Sequence, residues 1–256
     1  MRSLLSPHRA RARRLGVALV CVLATPLALA QARPAAQTLA PGEYVSAGGW
    51  GVLTLRSEAD KRLSFELETV GANGHTCSLD GEIRNGRTIV SDTPEPAACV
   101  VRFVANGSAI DVSTNDAESC RSFCGARAGF VGRYLRPLPG CDSLSRGATG
   151  AEFKRLYDGG AYREAQQQAS RLLERCVPTM SWTEHARLMN DLAITQHHLG
   201  LNDACVRTLQ PLASDAAASD EALMNRLPPA DYESYQPIVQ ATRTNLRLCQ
   251  GSKGRP

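Results

Sequence analysis

Between residues 42 and 136 hydrophobic and polar positions alternate in short runs. In LSFELETV, residues 63 to 70, Leu63, Phe65 and Leu67 fall on one side and Ser64, Glu66 and Glu68 on the other. A period of two places successive side chains on opposite faces of a strand, so this run predicts a half-buried antiparallel strand. TCSLDGEI, residues 76 to 83, repeats the pattern with Cys77, Leu79 and Ile83 inward. Asn85-Gly86 follows, and both residues tolerate the positive φ that a tight hairpin turn requires. Cys99 to Val104 and Ala109 to Val112 make a further pair across Asn106-Gly107, and Ala128 to Tyr134 closes the region with Phe130 and Tyr134 inward. Adding Tyr44-Val45 and Val52 to Leu55 brings the total to about eight strands, which suits a small barrel or sandwich.

From residue 150 the apolar spacing lengthens to that of helices. The pattern predicts helices over 150–158, 161–176, 181–199, 202–215 and 229–249, with a short turn near 220–226. Ser181 and Asn202-Asp203 stand where N-caps belong, and Gly200 stands just past a helix end. The fold class expected is therefore α+β: a small antiparallel β barrel or sandwich followed by an all-α domain. Pro137-Leu138-Pro139-Gly140 separates them. The expected organisation is a β domain over 42–136, a linker over 137–149 and a helical domain over 150–249, with flexible segments at 31–41 and 250–256.

The first thirty residues change the reading of the charge. MRSLLSPHRARARR carries five arginines and no acid, and LGVALVCVLATPLALA is uncharged and ends in Ala28-Leu29-Ala30. This is the pattern of a secretory signal peptide over 1–30, cleaved after Ala30. Val20 before Cys21 does not offer the small residue that lipoprotein processing needs. The whole chain has 29 basic and 25 acidic residues; without the five leader arginines, 24 basic residues remain. A near-neutral mature chain has no nucleic-acid footprint, and no later apolar run is long enough for a transmembrane segment. The expected location is periplasmic or secreted.

Eight cysteines follow the leader: Cys77, Cys99, Cys120, Cys124, Cys141, Cys176, Cys205 and Cys249. An even number in an exported chain reads as a disulfide framework. Neither a zinc-type cluster nor a CxxC pair is present, and Cys120 and Cys124 read as structural, stapling the turn before the closing strand. Four cysteines precede the Pro-Gly stretch and four follow it. In the first half the three possible pairings stay open. In the second, antiparallel helices bring the start of one beside the end of the next, which favours Cys141–Cys176 and Cys205–Cys249.

Catalysis is not indicated. The histidines after the leader, His75, His185, His197 and His198, form no HExxH or i, i+4 metal pair, and no nucleophile elbow, phosphate loop or nucleotide fingerprint occurs. Asp191 with His197 lacks the convergent partners of a catalytic site. No metal and no cofactor is expected.

Two resemblances add to this. Phe153 to Ala165, with Tyr157-Asp158-Gly159-Gly160-Ala161-Tyr162 at its centre, resembles the junction between the helices of a tetratricopeptide repeat. The pattern recurs with Leu192-Ala193, His198-Leu199-Gly200, Ala204, Leu209 and Leu212. Gly160 to Gly200 spans 40 residues against the usual 34 or so, so the units are irregular. The resemblance implies a tetratricopeptide-like domain whose inner face, lined by the first helix of each unit, binds a partner chain. The residues it marks are Arg155, Tyr157, Arg187, Asn190, Asp191, Thr195 and His198. Asn190, Asp191 and His198 form a polar group that is either hydrogen-bonded within the fold or turned toward a ligand. The β region is similar in compartment, size and strand number to the small β-barrel lysozyme inhibitors of bacterial periplasms. Ser46-Ala47-Gly48-Gly49-Trp50 stands in place of their serine-glycine loop, and their tyrosine-threonine-lysine-glycine stretch has no counterpart. The function expected is that of an exported, non-catalytic protein-binding or adaptor protein whose partner is another envelope protein. The first alternative is an inhibitor or immunity protein against a lysozyme-like cell-wall hydrolase, using Trp50. The second is an envelope enzyme whose site the spacing conceals.

Overall fold

In a computed structural model, residues 38–60, 62–90 and 98–251 are described. The expected signal peptide over 1–30, with Cys21, and most of the segments at 31–41 and 250–256 lie outside these residues. Eight strands are present: β1 Gly42–Ser46, β2 Gly51–Ser57, β3 Leu63–Val70, β4 Thr76–Ile83, β5 Arg87–Ile89, β6 Val100–Asn106, β7 Ala109–Thr114 and β8 Gly132–Leu135. They form one antiparallel sheet in the order β4-β3-β2-β1-β8-β7-β6-β5. Pairing of the first strand with the last, Val45 opposite Leu135 and Ser46 opposite Tyr134, curls the sheet round. The two edge strands, β4 and β5, meet at the hairpin bridge between Arg84 and Arg87, which leaves the barrel nearly closed. In that turn Asn85 and Gly86 take φ of 53° and 73°, the mirror-image turn whose twist matches its strands.

The expected alternation is the one that buries the barrel core. Phe65 and Leu67 from β3, Cys77 and Leu79 from β4 and Tyr134 from β8 are buried, and the Phe65 and Phe103 rings meet at 4.9 Å. Between β7 and β8 the chain forms only a short 3-10 turn, Arg121–Phe123. Two disulfides hold this irregular stretch to the barrel, Cys77–Cys124 and Cys99–Cys120. Cys120 and Cys124 thus anchor the same segment at two separate places.

The helical half comprises α1 Ser143–Asp158, α2 Tyr162–Arg175, α3 Trp182–His198, α4 Asn202–Leu209, α5 Ala213–Ala217, α6 Asp220–Arg226 and α7 Pro229–Gly251. Helix α1 begins at Ser143, inside the stretch expected to be linker, because Asp142 caps it by accepting from the Ser145 N–H at 2.9 Å. Ser181 caps α3 as expected, accepting from Glu184 N–H at 3.2 Å. Asn202 does not cap α4; it lies inside the first turn, and its Oδ1 meets His197 Nδ1 at 2.9 Å. The single helix expected over 202–215 is broken at Pro211, which has no N–H to continue it.

A 40-residue repeat is visible in the hydrogen bonds. After α1, Ala161 N–H donates to Leu156 C=O and Gly160 N–H to Tyr157 C=O; after α3, Leu201 N–H donates to Gln196 C=O and Gly200 N–H to His197 C=O. Both ends are Schellman motifs, and Gly160 and Gly200 take φ of 75° and 74°, which disfavours side chains. The helices that follow bury equivalent positions, Ala165 with Cys205, Ala169 with Leu209, and Leu172 with Leu212. Cys205, rather than Ala204, therefore fills the close-packed place of Ala165. Contacts also set helix direction. Arg146 near the start of α1 pairs with Glu184 near the start of α3, and Tyr157 near the end of α1 meets His198 at the end of α3. Arg187 and Asn190 of α3 meet Ser234 and Thr242 of α7 in the same order. Helices α1, α3 and α7 hence run parallel as one layer, with α2 and α4 behind them. Cys141–Cys176 joins the two ends of the α1/α2 hairpin, and Cys205–Cys249 fastens α7 to α4. Four bridges are compatible with an oxidising, exported location. Among the described residues no helix is long and apolar enough to cross a membrane.

Candidate functional site

The two halves meet where the β1–β2 turn and the stretch after β3 reach the starts of α3 and α7. Gly48 and Gly49 take φ of 87° and 68° in that turn. A Cβ on Gly49 would stand 2.3 Å from the Met180 carbonyl carbon, so only glycine lets this turn dock. Gly48 N–H donates to Pro178 C=O at 2.9 Å. On the other side Asn73, with φ of 60°, is held by the first turn of α7: Asp231 accepts from its N–H at 3.2 Å through both oxygens. The Asn73 Oδ1 accepts in return from the Ala230 N–H at 3.0 Å.

Between these contacts lies a cleft of about 650 Å³. Trp50 enters it from the barrel, its ring against Gly132 and edge-on to Tyr134 with centroids 5.8 Å apart. Trp182 enters from the first turn of α3 and packs on Tyr235 at 4.6 Å. Ser181, Thr183, Ser234 and Asp231 complete the helical wall, and Gly48, Gly71, Gly74 and Gly129 contribute main chain on the barrel side.

From the cleft a partly exposed line runs along α3. Thr183, Arg187, Asp191, Ile194 and His198 recur at helical spacing and share one face. Arg187 Nη2 donates to Ser234 C=O at 3.4 Å, at the margin of the cleft. Beyond it a groove of about 230 Å³ between α3 and α7 is lined by Arg187, Asn190, Asp191, Pro237, Ile238 and Ala241. The Asp191 carboxyl accepts no hydrogen bond from a described residue. Desolvation by the neighbouring helix pushes its pKa up to about 6, against a smaller opposing pull from the Arg187 charge. The residue as a whole is still reached by water, which offsets part of that burial. At the far end Tyr157 Oη and His198 Nε2 are 3.0 Å apart, and the Tyr162 and His198 rings stack at 4.4 Å. Burial raises the pKa of Tyr157, so its hydroxyl stays neutral and able to donate.

The residues marked from the sequence thus divide. Arg187, Asp191, Tyr157 and His198 do share the α1/α3 surface. Arg155 is exposed but turned to Glu152 in an ion pair of 2.6 Å. Thr195 does not reach the surface, and Asn190 reaches it only at the floor of the α3/α7 groove. Asn190 is 5% exposed; its Nδ2 donates to Ala186 C=O and Thr242 Oγ1, and its Oδ1 accepts from Asn245. Thr195 is fully buried and donates to Asp191 C=O. These two take the internal alternative, because a polar side chain facing a packed helix has no water to satisfy it. Trp50 stands apart from this surface, in the cleft. Trp182, Asn73 and Asp231 carried no sequence signal; an aromatic residue directly after the Ser181 cap was the one available hint.

Fold and surface together define an α+β protein, a nearly closed antiparallel barrel joined to stacked helical hairpins. No family model, no curated protein and no solved structure matches the chain.

Proposed function

We propose that this is an exported, non-catalytic protein-binding protein of the envelope, and that its partner lays an extended segment along α3. The observation that carries the reading is the line from Thr183 to His198, in which Arg187, Asp191 and His198 are exposed and Thr183 and Ile194 half-buried. At 1.5 Å per residue it runs roughly 22 Å, the span of about seven extended residues. Arg187 and Asp191 offer opposite charges along it, and an acid kept in a place that disfavours its charge supports a functional role there. The tetratricopeptide-like layering, with α1, α3 and α7 side by side, supports a binding face of this kind. The leader over 1–30 and the four bridges support export to the periplasm or beyond.

The inhibitor reading has less behind it. Ser46 to Trp50, the stretch it would use, is tied to Pro178 and Met180 and is not a free loop.

The test is capture from an envelope extract with the wild-type chain, Arg187→Ala/Asp191→Ala, and Arg163→Ala on the opposite layer. The expected result is one partner held by the wild type and Arg163→Ala, and lost from the double variant at unchanged melting temperature. Equal capture by all three sinks the α3 surface.

A further inference from the structure

Trp50 and Trp182 are the two tryptophans of this chain, and both line the cleft between the halves although they are remote in sequence. Trp182 is 50% exposed there. Asp231 is the single ionisable side chain among the described residues of the lining, and both its oxygens already accept from Asn73. The helix N-termini that reach the cleft are also satisfied, α3 by Ser181 and α7 by the Asn73 side chain. An anion would therefore find no cation among the described lining residues, Arg187 at the margin being turned to Ser234 C=O, and no free cap. A strand from a partner would find no open sheet edge either, because β1, β2 and β3 are each paired on both sides. What the cleft does offer is indole surface, main chain at glycines that lets a ligand come close, and the hydroxyls of Thr183 and Ser234, which bond to Ser181 Oγ and Ala230 C=O and each keep a lone pair to accept from a ligand. Its volume lies within the roughly 300–1,000 Å³ of small-ligand pockets.

We propose that this cleft, which shares only Thr183 with the α3 line, binds a neutral saccharide. The apolar C–H face of a pyranose stacks on Trp182, whose electron-rich face attracts the polarised hydrogens. The sugar hydroxyls meet the seryl and threonyl hydroxyls and the exposed main chain.

Because both tryptophans sit in the cleft, their emission reports on this site. The full chain is titrated with chitotetraose and, separately, maltotetraose. At least one should shift the emission saturably with a midpoint below about 1 mM. By calorimetry, Trp182→Ala should weaken that binding at least tenfold. Ser234→Leu, which narrows the cleft at an exposed position and keeps both tryptophans, should do the same and decides the matter if Trp182→Ala does not fold. Arg163→Ala should bind as the wild type. No saturable response to either sugar overturns the proposal, as does undiminished binding in Ser234→Leu. A response to tetraalanine equal to that of the sugars would assign the cleft to polypeptide instead.

Discussion

The barrel half and the helical half each hold two disulfides, and the two sets work differently. In the barrel every strand except β4 and β5 has a neighbour on both sides, and those two meet at their hairpin. Its bridges therefore clip an irregular segment onto a sheet that already curls on itself. The helical stack has an open end. Its last long helix, α7, is held by Cys205–Cys249 and by the buried contacts of Asn190 with Thr242 and Asn245. One cross-link chemistry thus serves as a local clip in the closed structure and as an end fastening in the open one.

The largest expected effect breaks this comparison most directly. Cys205→Ala/Cys249→Ala removes a bridge across 44 residues and should cost about 4 kcal/mol, read by denaturant unfolding. Cys99→Ala/Cys120→Ala spans 21 residues and should cost about 3 kcal/mol by loop length, with opening confined to the 115–131 segment in hydrogen exchange. If exchange spreads through the barrel in the second variant and not through the helices in the first, the roles are reversed.

Gly49→Ala tests whether the halves act separately. Positive φ and overlap with Met180 together should cost about 3 kcal/mol. Undocking of the turn should split a single calorimetric transition into two. An unshifted single transition would mean that the docking adds nothing to stability.

Within the helical half, Asn190→Ala should cost about 2 kcal/mol, since it leaves Asn245 with a lost acceptor in a buried place. Its melting temperature should fall while partner capture at fixed folded concentration is kept. A variant that instead loses capture at full stability would return Asn190 to the binding surface.

The smallest effect is a gain. The Asp191 pKa is raised in the fold, so the folded chain favours the protonated acid. That contribution is complete below the unperturbed value of 3.8 and is lost as pH rises through about 6. Asp191→Asn, neutral at every pH, should melt slightly above the wild type at pH 7.5 and level with it near pH 3.5. Water around the carboxyl keeps the gain small. A lower melting point at pH 7.5 would show that the charge is stabilised rather than strained.

Local order was legible because its causes are local. The alternation of Phe65 and Leu67 with Glu66 and Glu68 follows from the pleat, the Asn85-Gly86 turn from positive φ, and the recurrence of Gly160 and Gly200 from helix ends that need a left-handed residue. Helix order sufficed to pair Cys141 with Cys176 and Cys205 with Cys249, because neighbouring antiparallel helices leave few other choices. The pairing of Cys77 with Cys124 and Cys99 with Cys120 depended on how the sheet closes, and no spacing encodes that. The fate of Asn190 depended on α7, whose Thr242 and Asn245 bond to it while Arg187 and Asp191 stay exposed. The cleft belongs wholly to tertiary structure. Trp50 and Trp182 come together because Gly49 admits Met180 and Asn73 locks onto Asp231, contacts between segments far apart in the chain. Periodicity records which side of an element is buried; it carries nothing about which distant surface does the burying.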